Sequence, residues 1–341
     1  MTAAPRKRSP LRILFTTAMT IVIAWLLFDN VSWQGVGEVL ATIRWPWIAA
    51  MSATALFRTF VDSLQMRMTL AHLKLKVGVG RIFLGNALSS FYGLVLPGAV
   101  VSRGAKWGVL TSATGKGTAV LNAMIYNGMI QLVPIMLVGS GAMLSEQPFP
   151  GSGLTEATLA TALATMAALV VLYHPRVGNR AAGILGRILD RMPAIIQKRG
   201  QTFLESLRDF QRFPWEWHGL SLALATAGLA CALVRMGFGF QALQIELSPL
   251  RIAWIFIFLH VLRLLPITIG NFGIREGFLM VALGGFDVPQ ETAVSLGLLM
   301  YTDRLILAFI GACYQGVLLF GVSYKSESRD PIAAPSAGVA K

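Results

Sequence analysis

The sequence predicts an all-α integral membrane protein with about six full transmembrane helices plus two re-entrant helical hairpins in an inverted-topology repeat. Asp, Glu, Lys and Arg make up 13% of the 341 residues, whereas soluble proteins carry about a quarter. The mean hydropathy is +0.64. Apolar runs of spanning length recur along the chain, and its two halves resemble each other. These observations together predict the fold class.

Six apolar runs are long enough to be spans, since about 20 helical residues cross roughly 30 Å of hydrocarbon. The first run follows Arg6, Lys7 and Arg8. Its length and the lack of a small-residue cleavage site favour an uncleaved span over a secretory signal. The six runs are 11–28, 45–70, 118–144, 154–173, 217–243 and 292–322.

The basic residues predict the orientation, because cytoplasmic loops are enriched in Lys and Arg. The N-terminus and the loop 174–215 are basic, whereas the loop around 146–153 has no Lys or Arg. We therefore expect a bacterial inner-membrane protein with both termini in the cytoplasm. Its predicted parts are a cytoplasmic tail at 1–10, one transmembrane domain at 11–323 with repeat halves at about 45–144 and 217–322, and a disordered cytoplasmic tail at 324–341.

The net charge of +13 is explained by this orientation, so no nucleic-acid partner is expected. Within the loop 174–215, apolar residues recur at helical spacing among the basic ones. Two interpretations stay open for this loop. It forms amphipathic helices on anionic headgroups, or it is a solvated linker whose charge only fixes topology.

An internal repeat pairs the stretch 73–97 with the stretch 243–266. In both, an apolar segment that starts at an arginine, Arg81 or Arg251, leads to a proline and then to a Gly-containing basic stretch. The first apolar segment is too short to cross the bilayer comfortably. We therefore predict re-entrant hairpins, whose irregular backbone must line the protein interior. The predicted breaks are Pro97, Gly98, Pro266, Gly270 and Gly273.

The loop charges put Arg81 inside and Arg251 outside, so the two hairpins are expected to enter from opposite faces. Inverted repeats with paired broken segments are typical of secondary transporters, whose site lies near the midplane. The alternative is an old duplication that is retained for folding alone.

Charged residues at membrane depth need a partner or a water-filled cavity. The cations that follow the two breaks suit an anionic headgroup, because arginine binds phosphate oxygens in pairs. A simple interfacial role is the alternative for Arg103 and Lys106. The two acids near these cations suit either a structural network or proton transfer. The headgroup candidates are Arg103, Lys106, Arg275, Glu276, Asp303 and Arg304.

Arg58 and Asp62 are four residues apart in the second span, on one helix face. They form either a self-contained ion pair or a site at which Asp62 binds a coupling ion or proton.

The motifs of common enzyme classes are missing from the sequence. It has no phosphate-binding loop, no zinc-protease motif and no nucleophile elbow with suitable partners. Cys231 and Cys313 lie inside apolar spans, so neither a disulfide nor a metal site is predicted. We expect no enzymatic activity, no catalytic residue, no metal and no cofactor.

Three motifs resemble the lysylphosphatidylglycerol synthase transmembrane-region family, also called flippase-like domain proteins. They are Leu96-Pro97-Gly98 with Lys106, Pro266-Ile-Thr-Ile-Gly270-Asn-Phe-Gly273-Ile-Arg275-Glu276-Gly277, and Asp303-Arg304. The resemblance covers about 58–322. Two departures weaken the first half: Val101-Ser102-Arg103 stands where the family has Gly-Gly-Asp or similar, and Asn127-Gly128 where it has Asp-Arg. The second half is therefore the favoured headgroup site.

The resemblance implies movement of an anionic or phosphate-bearing lipid between leaflets, such as a phospholipid, an aminoacyl-phospholipid, a polyprenyl-phosphate-linked lipid or a hopanoid-type lipid. The soluble aminoacyl-transfer domain of some relatives is not expected here. Two alternatives are a membrane-embedded lipid-modifying enzyme with an acid or base among Glu276, Asp303 and Asp62, and a non-catalytic scaffold or subunit for a lipid-synthesis enzyme. The lipid, the direction, the energy source and the oligomeric state, a homodimer included, are left open.

Overall fold

A computed structural model of the chain describes residues 31–95, 99–146, 213–262 and 273–327, with scattered residues between 153 and 211. The side chains of residues 95, 99–101 and 318–327 are outside this description. Throughout the described part, the regular elements are α-helices. The helices with defined bounds are α1 Trp33–Ala41, α2 Trp45–His72, α3 Val79–Val95, α4 Ala99–Thr114, α5 Gly117–Glu146, α6 Trp215–Ala242, α7 Pro249–Leu262, α8 Ile274–Gly284, α9 Gln290–Leu299 and α10 Thr302–Glu327.

Three helical segments are long and apolar enough to cross a membrane: α5, α6, and the stretch Gln290–Val317 that joins α9 to α10. Helices α1 and α2 meet this criterion together, although they are bent by 88°. The chain is thus a multi-pass membrane protein. Of the six predicted spans, 11–28 lies outside the described residues and 154–173 lies largely outside them.

The repeat extends to the level of single turns. Helices α2 and α6 both have 28 residues, and they begin at the equivalent tryptophans Trp45 and Trp215. Both end in the same turn, in which Lys74 and Gln244 each have a φ of 59°. In one turn the N–H of residue 75 donates to the carbonyl of residue 70, and in the other residue 245 donates to residue 240. Equivalent stretches of sequence therefore fold in the same way.

The equivalent helices α2 and α6 pack against each other and run antiparallel. The backbone N–H of Arg44, just before α2, donates to the carbonyl of Ala242 at the end of α6 (3.2 Å). Further along α2, the side chain of Gln65 donates to the carbonyl of Ser221, which lies near the start of α6 (3.0 Å). This antiparallel pair forms the central contact between the two halves.

The remaining contacts exchange elements between the halves. Helix α3 of the first half packs on α10 of the second, and α7 of the second half packs on α5 of the first. Small residues permit both approaches. A Cβ added at Gly311 of α10 would overlap the carbonyl oxygen of Ala87, and one added at Gly139 of α5 would lie 2.7 Å from Ile257.

Helix pairs surround both predicted breaks. Helix α3 ends at Val95 and α4 begins at Ala99, so Pro97 and Gly98 lie in the intervening gap, outside the described residues. Likewise α7 ends at Leu262 and α8 begins at Ile274. The predicted breaks Pro266 and Gly270 are not among the described residues, whereas Gly273 is described.

The last span has an internal step. Its predicted range, 292–322, falls on two helices, because α9 ends at Leu299 and α10 begins at Thr302. At the step the N–H of Tyr301 donates to the carbonyl of Leu298 (3.0 Å). This is a bond of the 3₁₀ type within an α-helical span. It occurs beside the charged residues described next.

Candidate functional site

Arg275 and Glu276 form a buried ion pair at the start of α8. Their side-chain nitrogen Nη2 and oxygen Oε1 are 2.6 Å apart, and the residues are only 3% and 2% exposed. The other oxygen of Glu276, Oε2, accepts a hydrogen bond from the N–H of Gly273 (2.7 Å). Gly273 precedes the helix with a φ of 87°, a value that favours glycine. Glu276 therefore caps the helix and neutralises Arg275 at once.

A second ion pair joins α6 to α10. Nη1 of Arg235 lies 3.0 Å from Oδ2 of Asp303, and Arg235 is 4% exposed. The other oxygen of Asp303, Oδ1, is buried and has no hydrogen-bond partner among the described residues. The predicted network of two acids and two cations contained Asp303 but not Arg235. Its shortest ion pair in the structure is instead with Arg235, which the sequence analysis overlooked.

Tyr301, at the step in the last span, lies between two arginines. The guanidinium of Arg275 is 3.8 Å from the centre of its ring, and that of Arg304 is 5.8 Å from it. Both distances are within the range of cation–π attraction. The aromatic ring thus holds two cations that repel each other.

The first half contributes a looser pair. Nε of Arg58 and Oδ2 of Asp62 are 4.0 Å apart, and both side chains are about a quarter exposed. Oδ1 of Asp62 accepts a weak hydrogen bond from the amide of Gln131 on α5 (3.3 Å). Lys106 of α4 is half-buried and interacts electrostatically with Asp62. Its methylene stem lies near Gly85 of α3.

A network of neutral polar groups continues from Asp62 along the first half. Gln131 also donates to Gln65 (3.0 Å), whose own amide donates to the backbone of α6. One turn further along α2, the hydroxyl of Thr69 donates to the side-chain oxygen of Asn127 (2.8 Å). The hydroxyl of Tyr126 lies 2.9 Å from Nδ1 of His218. Buried polar groups in the first half are therefore paired mainly without charge.

These charged groups meet where the two halves pack. Arg235 interacts electrostatically with arginines from α2, α8 and α10, and Lys106 does so with Asp62. We call this set the central charge cluster. Its members are Arg58, Asp62, Lys106, Arg235, Arg275, Glu276, Asp303 and Arg304. Five basic side chains oppose three carboxylates, so the cluster has an excess of positive charge.

The predicted charged site residues belong to this cluster, with the exception of Arg103. Arg103 is exposed on α4, as expected for a residue at an interface. Arg235 had a signal that was missed, since it is the only Asp, Glu, Lys or Arg between Glu216 and Glu246. Within the described residues, no three His, Cys, Asp or Glu side chains are arranged to hold a metal ion.

Comparison with protein families gave a match that covers most of the chain. The family model described as the lysylphosphatidylglycerol synthase TM region matches residues 11–311. Neither the curated proteins nor the solved structures gave a match. The matched range contains every member of the central charge cluster.

Proposed function

The chain belongs to the lysylphosphatidylglycerol synthase transmembrane-region family, and from this premise we propose that it moves an anionic, phosphate-bearing lipid between the leaflets of the bacterial inner membrane. The observation that carries this proposal is the excess of positive charge in the central charge cluster, among helices of spanning length where the two halves pack. Cations in such a place are costly unless a partner or a cavity compensates them. A lipid phosphate that passes between the halves supplies the missing anion.

The packing of the helices supports an inverted repeat. Equivalent helices α2 and α6 are antiparallel, and the contacts α3–α10 and α5–α7 exchange elements of the two halves. Two halves related in this way have opposite orientations in the membrane. We propose that α3 with α4, and α7 with α8, are the re-entrant hairpins, and that the halves rock about the cluster to alternate its access.

The proposed orientation keeps both termini in the cytoplasm, with the basic loop 174–215 on the same side. The proposed activity is transport, without covalent chemistry. Phospholipids, aminoacyl-phospholipids, polyprenyl-phosphate-linked lipids and hopanoid-type lipids with an anionic group all offer an anionic group to the cluster, and those with a net negative charge are expected to move fastest. Recruitment of a lipid-synthesis enzyme is the competing function, and it requires no lipid exchange.

Reconstitution into vesicles tests the proposal. Vesicles that contain trace fluorescent phosphatidylglycerol in both leaflets are treated with an impermeant quencher, which removes only the outer signal. We expect the full-length protein to render the inner pool accessible at least tenfold faster than in protein-free vesicles. Fluorescent phosphatidylcholine should exchange much more slowly, because it lacks a net negative charge.

A matched pair of variants localises the activity. Arg304→Gln removes a half-buried cation of the cluster and should slow exchange about tenfold, since a hydrogen bond to a charged group is worth about 1.5–3 kcal/mol. Arg67→Gln removes an exposed cation from α2 and should leave the rate unchanged. If the protein does not accelerate exchange of phosphatidylglycerol, or accelerates both lipids equally, the proposal of a selective anionic-lipid transporter is wrong.

A further inference from the structure

Arg58 differs from the buried arginines of the cluster in how it is paired. Its Nε atom is buried and has no hydrogen-bond partner among the described residues. The nearest carboxylate oxygen, Oδ2 of Asp62, is 4.0 Å away, which is too far for a hydrogen bond. In contrast, Arg275 and Arg235 are 2.6 and 3.0 Å from their carboxylates. The Nε donor of Arg58 is therefore close to the carboxylate of Asp62 but not hydrogen-bonded to it.

Asp62 is held in place by neighbours other than arginine. Its Oδ1 atom accepts from the amide of Gln131, and it lies opposite Gly228 of α6, where an added Cβ would approach to 3.3 Å. Next to it on α2, Ser63 is tied to Asn86 of α3 by a 2.9 Å hydrogen bond. These contacts fix the carboxylate between two helices while its distance from Arg58 stays long.

Asp62 also faces a second cation. Lys106 from α4 interacts electrostatically with it, so the same carboxylate attracts both Arg58 and Lys106. An acid in this position partly compensates both cations when no other anion is present. Phosphate carries at least the same charge, and its several oxygens accept hydrogen bonds from both cations at once.

We propose that Asp62 is an internal substitute for the phosphate of the lipid, which takes over Arg58 and Lys106 when it binds. The inference rests on the proposed function and deepens it, since it assigns the headgroup to the first half of the chain. The cations of the tight pairs remain with their carboxylates. Asp62 competes with the ligand for these cations. In the empty protein its carboxylate compensates their charge, and when the lipid binds, the phosphate takes its place.

Equilibrium binding to the full-length protein in neutral detergent tests this inference. The probes are dihexanoyl phosphatidylglycerol, dihexanoyl phosphatidylcholine and inorganic phosphate, and the readout is the dissociation constant by calorimetry. Asp62→Asn removes the competitor and should tighten binding of phosphatidylglycerol about tenfold. Arg58→Gln removes a cation that binds the phosphate and should weaken binding of phosphatidylglycerol about tenfold. Phosphatidylcholine should respond little to either variant.

A second variant at the same position distinguishes a specific effect on binding from a folding defect. Asp62→Glu keeps the charge and lengthens the side chain toward Arg58, so the competitor is stronger and binding of phosphatidylglycerol should weaken several-fold. Opposite effects of Asn and Glu at one position are not expected from a merely structural residue. Binding that is unchanged or weaker in a folded Asp62→Asn variant overturns the proposal, as does tighter binding in Asp62→Glu.

Inorganic phosphate distinguishes the source of the anion. If it competes with the lipid only at far higher concentration, the acyl chains contribute and the ligand is a lipid headgroup. If it binds as tightly as phosphatidylglycerol with the same dependence on Asp62, the role of Asp62 stands but the ligand is free phosphate. Because binding is measured without transport, a protein that binds as described yet does not exchange lipids refutes the proposed function alone.

Discussion

The two halves of the chain share a backbone plan but differ in how they pair buried polar groups. Gln65 and Arg235 occupy equivalent positions, each eight residues before a leucine of the repeat, Leu73 or Leu243. Each side chain reaches the following long span. Gln65 does so through a neutral amide contact with Gln131, whereas Arg235 does so through an ion pair with Asp303.

This difference separates anchoring from binding. The second half has two close ion pairs with buried arginines, an arrangement that fixes helix positions and keeps Arg235 and Arg275 with their carboxylates. The first half has neutral contacts and one long ion pair. The half whose sequence departs from the family motifs thus contains the ion pair that a ligand can most easily replace.

Glu276→Gln should cause the largest loss of stability and so tests this contrast most directly. The amide leaves Arg275 buried without a counter-charge, and removal of one partner of a buried pair costs about 3–5 kcal/mol. We expect a loss of this size in the free energy of unfolding, measured by titration of detergent-solubilised protein with sodium dodecyl sulfate.

Asp62→Asn is the matched acid-to-amide change in the first half. Its long, partly exposed pair should contribute at most about 1 kcal/mol, so this variant should unfold near the wild-type midpoint. Equal destabilisation by the two changes would mean that the two halves do not differ in the way described.

Arg235→Gln and Gln65→Leu compare the equivalent positions directly. The first removes the cation from a buried pair and should cost about 3 kcal/mol. The second removes a neutral hydrogen-bonding group and should cost about 1–2 kcal/mol. The same titration measures both, and a larger cost for Gln65→Leu would contradict the assignment of the anchor to the second half.

Sequence reasoning predicted the helical membrane class and singled out most residues of the cluster, because each has a local signal. Apolar length gave α5 and α6, and isolated charges in apolar surroundings gave Arg58, Asp303 and Arg304. Sequence reasoning could not show which residues far apart in the chain lie close together in space. The pairing of Asp303 with Arg235 joins residues 68 positions apart, and no local pattern specifies it. The step at Tyr301 was also missed, since it involves neither proline nor glycine.

Glycine contacts test the exchange of elements between the halves. Gly311→Ala places a methyl group against the backbone of α3, which can yield only if α3 and α10 separate, so we expect a loss of about 2–3 kcal/mol. Gly139→Ala meets the side chain of Ile257, which can change rotamer, so its cost should be about 1 kcal/mol or less.

The controls lie on the same two helices. A Cβ at Gly316 of α10 or at Gly141 of α5 would meet nothing within 4 Å. Alanine at either position should therefore be neutral or stabilise the protein by up to about 1 kcal/mol, through its better helix propensity. If unfolding titrations give the same free energy of unfolding for Gly311→Ala and Gly316→Ala, α3 and α10 do not pack at backbone distance. The exchange of elements that supports the inverted repeat would then lose one of its two contacts.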